Sequence, residues 1–327
     1  MIIDIHGHTV APPEMYAYQS NLLASRGNPV SHLKPPKISD QRLGEVLAGH
    51  VKILDEVGTD LQLISARPFH MMHSIKPERV VRAWTEFVND TIARQVAMYP
   101  DRFRGVAALP QSPGQDLRAC IEELERCVKE LGFVGCLLNP DPTEGEGTPP
   151  GLGDEYWYPL YEKLVELDVP ALVHSAGCSS PRESYTLHFI NEESIAILSL
   201  LDSRVFEDFP GLKIIVPHGG GAIPYQMGRF RAIRLRSPEL EPWDQAVRRL
   251  YYDTCNYSAD SLSLLFRVMG TDRCLFGTEK PGTGSSVDPA TGRWLDDLKP
   301  VIESLPELTA EDKARIFEEN ARRLYRL

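Results

Sequence analysis

Two histidines one residue apart, His6 and His8, end the first apolar stretch of the chain. In a β-strand, residues i and i+2 point to the same face, so both imidazoles can be aimed at one point. Imidazole nitrogens bind divalent transition metals, and the pair therefore offers half of a metal site. A His-x-His pair alone is a weak signal. The pair is a stronger signal here, because further residues that could bind a metal follow later predicted strands.

Short apolar runs alternate with helix-like segments along the whole chain, which is the pattern of a parallel α/β sheet or barrel. Eight predicted strands favour a closed barrel, and we predict one (β/α)8 TIM-barrel domain over residues 1–327. The predicted strands are 2–5, 61–65, 104–109, 133–138, 170–174, 212–218, 250–254 and 274–277. The predicted helices are 40–58, 80–98, 113–131, 156–167, 191–206, 223–235, 259–269 and 308–325.

Two segments are predicted as loops near the mouth of this barrel. Residues 11–37 are rich in Pro, Ser and Asn and directly follow the histidine pair, so we interpret them as a long, lid-like insertion after the first strand. Residues 140–153 are rich in Pro and Gly and are interpreted as a second active-site loop.

Polar residues at the carboxyl ends of the strands are the candidates for chemistry, because the loops after the strands of such barrels carry the active site. Three imidazoles and a carboxylate among them suit Zn²⁺ or a similar divalent ion. The full set is His6, His8, Arg67, Asn139, His174, His218, Asp253 and Glu279.

Three of these candidates have alternative explanations that concern structure alone. His174 taken by itself could equally be a buried core histidine, and Glu279 could be a surface carboxylate paired with Lys280. The presence of the histidine pair favours metal ligation for His174, and the place of Glu279 straight after an apolar strand argues against a surface ion pair. His218 precedes three glycines that allow a sharp turn, which could be structural; we predict that it acts as a general base.

Substrate contacts are predicted from side chains that can hold a carboxylate or donate hydrogen bonds. Arg67 and Arg229 can bind a carboxylate through two parallel hydrogen bonds, although surface ion pairs are a common alternative. Tyr185 and His188 could donate hydrogen bonds at the mouth, and Asn139 follows the fourth predicted strand. We therefore expect these five residues to bind substrate.

The composition excludes some classes of function. A net charge of −11 over 327 residues argues against a nucleic-acid surface, which needs clustered Lys and Arg. No apolar run approaches the ~20 residues that span a bilayer, and no signal peptide begins the chain. The six cysteines lack CxxC spacing, so we expect reduced thiols and a cytoplasmic protein without membrane partners.

The pattern resembles the amidohydrolase superfamily, in the branch that contains aminocarboxymuconate-semialdehyde decarboxylase, other aromatic-acid decarboxylases and 4-oxalomesaconate hydratase. Members carry HxH after the first strand, His after the fifth and sixth, and usually Asp after the eighth. This chain has Glu279 at the last position, as in the hydratase and one C–C hydrolase. Residues 62–72, 185–193 and 282–292 look most like the amidohydrolase-type meta-cleavage-product hydrolases of the dehydrodivanillate pathway.

The resemblance implies Zn²⁺, with Mn²⁺ as the alternative, on His6, His8, His174 and Glu279. It also implies acid–base chemistry at His218 and substrate contacts at Arg67, Tyr185 and Arg229. The activity it implies is hydrolysis of a C–C bond in a ring-opened catechol, a small-molecule substrate from aromatic catabolism. The alternatives are a 4-oxalomesaconate-type hydratase, then an aromatic-acid decarboxylase, and a non-catalytic barrel. A homodimer is a further expectation by analogy, because barrels of this branch are often dimers.

Overall fold

A computed structural model describes residues 1–28 and 34–327 of the chain. It contains eight strands, one in each segment where the sequence predicts one. The strands are β1 Ile3–His8, β2 Leu61–Ser65, β3 Phe103–Gly105, β4 Cys136–Leu138, β5 Ala171–Val173, β6 Ile214–Val216, β7 Tyr251–Asp253 and β8 Cys274–Leu275. Most are shorter than predicted. The first is longer and includes both histidines.

All strand pairs are parallel and follow chain order, with β1-β2-β3 and β4-β5-β6-β7-β8 forming two ladders. Backbone hydrogen bonds close both gaps between the ladders. The amide of Ala107 donates to Gly135 at 2.8 Å, and the amide of Ile5 donates to Phe276 at 2.9 Å. The strands therefore form a closed barrel, as the sequence predicts.

Apolar side chains fill the barrel because alternate residues of each strand point inward. The interior cluster takes residues from the strands and from the last helix, which packs against the bottom of the barrel: Ile3, Ile5, Leu61, Leu63, Val106, Leu137, Leu172, Ile215, Leu275, Ala321, Leu324 and Tyr325. A second, larger cluster lies between the strands and the surrounding helices. The interior is therefore packed, and the functional groups lie at its upper end.

Helices cover the outside of the barrel. They are α1 Pro13–Ser25, α2 Asp40–Val57, α3 Arg79–Met98, α4 Arg118–Lys129, α5 Tyr158–Leu167, α6 Tyr185–Leu201, α7 Val205–Asp208, α8 Met227–Arg234, α9 Trp243–Ala246, α10 Ala259–Met269, α11 Leu298–Ser304, α12 Ala310–Ala314 and α13 Asn320–Tyr325. Among the described residues, no helix is long and apolar enough to cross a membrane.

The prediction of a loop over residues 11–37 is wrong for Pro13–Ser25, which form α1. Pro13 occupies the first helical position, where its missing N–H costs nothing, and Arg26 ends the helix in the left-handed conformation. Met15, Tyr18 and Leu22 share one buried face, and the Tyr18 ring lies 4.8 Å from that of Phe87 on α3. Burial of this face stabilises α1, although the Pro, Ser and Asn content of residues 11–37 predicts a loop. Residues 29–33 of the predicted insertion lie outside the described residues.

Several other predicted helices differ in extent, and α4 and α8 are shorter than predicted. The helix predicted for 191–206 begins earlier, at Tyr185, because the Ser184 hydroxyl accepts a hydrogen bond from the Leu187 amide at 3.3 Å. The helix predicted for 308–325 is divided by a wider turn at Arg315–Glu319.

Truncation of Leu324 tests the role of α13 as the bottom of the barrel. Leu324 is 2% exposed within the interior cluster, so Leu324→Ala should lower the free energy of unfolding by about 2–5 kcal/mol. Leu235→Ala is the matched control, since Leu235 is 75% exposed and its loss should change stability by about 0.5 kcal/mol or less. Equal urea midpoints for the two variants would contradict this packing.

Candidate metal centre and active site

Four of the predicted residues converge at the upper end of the barrel. His6 and His8 lie on β1, His174 follows β5, and Glu279 follows β8. One ligand atom from each lies within 4.8 Å of the other three, and all four residues are buried. The parallel strands cause this convergence, because their carboxyl ends meet at one end of the barrel.

Each histidine of this group is oriented by a hydrogen bond at Nδ1. His6 Nδ1 lies 2.6 Å from Asp253 Oδ2, and His174 Nδ1 lies 2.7 Å from the Ser175 carbonyl oxygen. These acceptors require a proton on Nδ1, which leaves the lone pair on Nε2. Outer hydrogen bonds of this kind fix the ring orientation of metal-binding histidines.

His8 follows the same arrangement with a hydroxyl as its partner. Its Nδ1 lies 2.9 Å from Ser65 Oγ, and that hydroxyl is positioned to donate to the Gly7 carbonyl oxygen at 3.1 Å. The Ser65 hydroxyl oxygen therefore accepts a hydrogen bond from His8 Nδ1. With the proton on Nδ1, His8 Nε2 carries none, as in the other two histidines.

The three Nε2 atoms are buried, and in the described part of the chain none has a hydrogen-bond partner. A buried polar atom without a partner costs about 1–3 kcal/mol, so three of them around one point require an explanation. Burial holds the pKa of His6 and of His174 well below the usual value, which favours the neutral form that ligates metals. The donor set fits a divalent cation.

Glu279 supplies the carboxylate of the group from a backbone with φ of +61°. Its amide donates to the His6 carbonyl oxygen at 2.7 Å, which joins the chain beyond β8 to β1. Oε1 lies 3.6 Å from His8 Nε2, while Oε2 accepts a hydrogen bond from the Tyr257 hydroxyl at 3.2 Å. Burial alone raises the pKa of Glu279, but His8, His218 and His6 together hold it well below its usual range.

His218 stands beside this group, with its ring centroid 5.0 Å from that of His174 and 5.4 Å from that of His6. Its Nδ1 lies 2.7 Å from Glu193 Oε2, so Nε2 is the nitrogen available to other groups. Burial lowers the pKa of His218, but Glu193, Glu279 and Asp253 outweigh it and raise the pKa to about 10. The pair can therefore hold and exchange a proton next to the metal-binding atoms.

A cavity of about 520 Å³ opens directly above these side chains. Its lining combines one cation, several hydroxyl groups and three aromatic residues: His8, Arg67, Pro68, Phe69, His70, His174, Tyr185, Phe189, Glu279, Pro281, Gly282, Thr283 and Ser285. Arg67 Nε donates to the Thr9 carbonyl oxygen at 3.2 Å, which anchors the guanidinium at the cavity wall. Arg67 and Tyr185, both predicted to contact substrate, line this cavity.

The other three predicted substrate residues lie outside the described lining of this cavity. Asn139 is buried beneath it, with Nδ2 2.7 Å from His73 Nδ1. His188 Nε2 bonds the Ala176 carbonyl oxygen at 2.7 Å and supports the loop after β5. Arg229 is exposed on α8. Position after a strand or near a glycine turn does not specify which way these side chains point.

The sequence analysis missed several supporting residues. Glu193, Ser65 and Tyr257 hold His218, His8 and Glu279 through side-chain contacts that join distant segments. Glu193 lies one helical turn after Phe189, a spacing that could have placed it on the same face of α6. The alternative that Glu279 pairs with Lys280 is wrong for this fold, because Lys280 Nζ binds the buried Asp296 carboxylate at 2.6 Å.

The Tyr257 hydroxyl gives a test of the cation site that does not depend on turnover. Tyr257→Phe removes the hydrogen bond to Glu279 Oε2, so we expect the affinity for Mn²⁺ or Zn²⁺ to fall about 10–100-fold. Competition titration against a chelating dye measures the change. Tyr225→Phe is the control, since Tyr225 is 78% exposed. Unchanged affinity in Tyr257→Phe would show that this hydrogen bond does not support the cation site.

Comparison with known proteins agrees with this geometry. A 2-keto-4-carboxy-3-hexenedioate hydratase from Sphingobium sp. is 40% identical over 332 residues, which cover 99% of this chain and 96% of that protein. A gamma-resorcylate decarboxylase from Polaromonas sp. is 30% identical, over 97% of this chain and 98% of its own length. Both relatives match across almost the whole barrel.

Similar solved structures also include a hydratase and a decarboxylase. A 4-oxalomesaconate hydratase from Rhodopseudomonas palustris superposes with a TM-score of 0.89 at 40% identity, covering 100% of this chain and 96% of that one. A dihydroxybenzoic acid decarboxylase from Polaromonas sp., solved with bound manganese and the inhibitor 2-nitroresorcinol, gives 0.75 at 26% identity, covering 100% and 97%. The suspected branch and its TIM-barrel fold are confirmed.

The Amidohydro_2 family, described as Amidohydrolase, matches residues 3–327. This match includes every strand and all four residues of the candidate cation site. The chain therefore belongs to the amidohydrolase family.

Proposed function

We propose that this protein is a divalent-metal-dependent hydratase that adds water across the C=C bond of an unsaturated oxo-dicarboxylate in aromatic catabolism. The observation that carries the proposal is the group of three partnerless Nε2 atoms and Glu279, which stands beside the His218–Glu193 pair. His8, His174 and Glu279 of this group line the same cavity as Arg67. The 40% identity to hydratases over nearly the whole chain supports the choice of reaction.

The preference of the sequence analysis for C–C hydrolysis receives less support than its hydratase alternative. That preference drew on aromatic residues near the site motifs, and Phe69, Phe189 and Tyr185 do line the cavity. Aromatic lining suits any planar, conjugated acid and does not separate the two reactions. Decarboxylation is the activity of more distant relatives, at 31% identity and below. We therefore place hydration first.

The cation in this proposal is Zn²⁺ or Mn²⁺, held by His6, His8, His174 and Glu279. Such an ion lowers the pKa of a bound water toward ~7 and polarises oxygen atoms of a substrate. The manganese bound in a related decarboxylase supports the choice of a divalent ion. Neutral imidazoles with one carboxylate are borderline ligands that suit either ion.

Hydration needs one proton to leave the attacking water and another to reach the neighbouring carbon. His218 Nε2 is the base in this proposal, because Nδ1 is already bonded to Glu193 Oε2 at 2.7 Å. Burial lowers the pKa of His218, but the buried carboxylates raise it to about 10, and a divalent cation at the adjacent ligands would lower it, so that Nε2 could accept a proton. The Glu193 carboxylate stabilises the imidazolium that forms when the proton arrives. The same nitrogen can then return a proton to carbon, so one imidazole serves both halves of the addition.

The cavity wall orients the substrate in this proposal. The guanidinium of Arg67 matches a carboxylate through two parallel hydrogen bonds, and the Tyr185 hydroxyl offers a further donor. A second carboxylate would find hydroxyl donors at Thr283 and Ser285, on the lining segment after β8. An acid with two or more carboxylates therefore fits better than a neutral ligand.

The first experiment incubates the metal-loaded protein with 4-oxalomesaconate-type acids and with yellow meta-cleavage products, and follows product mass. We expect a gain of one water on the oxo-dicarboxylate and no cleavage of the aryl substrates. Splitting of a yellow product into two acids would establish the C–C hydrolase instead. Loss of carbon dioxide would identify a decarboxylase, and no reaction on any acid would support a binding barrel.

Substitutions at the His218–Glu193 pair test the proton-transfer step. His218→Ala should retain the metal and lose turnover, because the four proposed ligands are unaltered while the base is absent. Glu193→Gln should lower kcat by about 10²-fold, since an amide stabilises an imidazolium less than a carboxylate does. Steady-state kinetics combined with metal analysis measures both effects.

The adjacent residue on α6 provides a matched control for Glu193. Glu192 borders a different cavity of about 380 Å³, so Glu192→Gln should leave kcat unchanged. Full activity in His218→Ala would remove this residue from the mechanism. Equal losses in the two glutamine variants would show a general effect on α6.

A further inference from the structure

Cys255 lies at the edge of the candidate cation site and has no part in the proposed hydration. It follows β7 by two residues and is 4% exposed. Its Sγ lies 3.3 Å from the Tyr257 hydroxyl and 4.0 Å from Glu279 Oε2. Sulfur, one nitrogen of His6 and one nitrogen of His218 all lie within 4.8 Å of one another. These three atoms form a second possible ligand set.

We propose that His6, His218 and Cys255 form an alternative site for a thiophilic divalent cation, overlapping the site of His6, His8, His174 and Glu279. The two donor sets differ in chemical softness. Two imidazoles with a thiolate favour soft ions such as Cd²⁺, whereas three imidazoles with a carboxylate also accept harder ions such as Mn²⁺. When sulfur binds the cation, the thiol proton passes to solvent.

The two sites compete because they share one nitrogen. His6 Nδ1 is bonded to Asp253 at 2.6 Å, so Nε2 is its one nitrogen for a metal. That atom is buried and lacks a partner among the described residues, which makes it an acceptor for either ion. A cation bound by the sulfur therefore withdraws His6 from the other site.

Occupation of the alternative site also removes the proposed base. His218 Nδ1 is held by Glu193, so its metal-binding nitrogen is Nε2, the atom that accepts the proton in the proposed hydration. A thiophilic ion at this place is consequently an inhibitor. This consequence for activity rests on the proposed function, whereas the binding site itself rests on the positions of the three ligand atoms.

A route from solvent to the sulfur exists in the described structure. A cavity of about 280 Å³ is lined by His218, Cys255 and Tyr257 and shares Phe189, Glu279 and Thr283 with the larger cavity. Both cavities are partly open, so a hydrated cation can approach from the side of β6 and β7 and the released proton can leave the same way.

The test titrates the full-length, metal-loaded protein with Cd²⁺ and follows the ultraviolet charge-transfer absorption of cadmium–thiolate bonds. We expect one equivalent of this absorption in the unaltered protein and its loss in Cys255→Ser. Cys178→Ser is the matched control and should keep the absorption, because Cys178 lies in the loop after β5 beside Gly145. The readout requires no substrate, so it is independent of the proposed reaction.

Two further measurements test whether the variants fold and whether Cd²⁺ inhibits through Cys255. The Mn²⁺ content of Cys255→Ser should equal that of the unaltered protein, which shows that the variant folds; Cys255→Ala serves if serine prevents folding. Cd²⁺ should inhibit the unaltered enzyme and the Cys178→Ser control far more than Cys255→Ser. Absence of the absorption in the unaltered protein, or its persistence in both Cys255 variants, would overturn the proposal.

Discussion

The contact between β1 and the chain beyond β8 is the constraint on which the site depends, and the Asp4 carboxylate organises it. Oδ1 accepts the amides of His6 at 3.0 Å and Thr278 at 3.1 Å. Oδ2 accepts hydrogen bonds from the side-chain Nε2 of Gln62 at 2.9 Å and from the Thr278 hydroxyl at 2.6 Å. One buried side chain thus joins β1, β2 and the segment after β8, directly below the histidine pair and Glu279. The contact that closes the barrel between β1 and β8 therefore also brings the histidine pair next to Glu279.

The electrostatics of this region favour a cation. Burial raises the pKa of Asp4 to about 6 and that of Asp253 to about 7, which shows how poorly the apolar interior solvates negative charge. Glu193 and Glu279 add two more buried carboxyl groups within the same network. A divalent ion among the imidazoles would stabilise the ionised forms of these acids. The supporting carboxylates then orient the ligands and also help to balance the ion's charge.

Residues at the strand ends and residues of the irregular segments have different roles. Groups on or just after the strands hold fixed positions, because the ladder bonds leave their backbone little freedom. The cavity wall comes from less regular segments, around Arg67 after β2 and around Thr283 after β8. Lys280 fixes the second of these segments by pairing with the buried Asp296 at 2.6 Å. Ligands for an ion are therefore rigid, whereas the surfaces that would recognise substrate can vary among relatives that share the barrel.

The local sequence predicted the eight strands and the polar residues at their carboxyl ends, among them His6, His8, His174 and Glu279. The expectation that these four residues share one cation came from the predicted barrel and from the family resemblance, and not from the strand pattern alone. Tertiary structure decided the remaining features. The α1 helix depends on burial against α3, and the pairing of Glu193 with His218 joins residues 25 positions apart. Asn139, His188 and Arg229 have suitable chemistry, but only packing determines that their side chains lie outside the cavity. Contacts between distant segments select one side-chain direction among several that the local sequence allows equally.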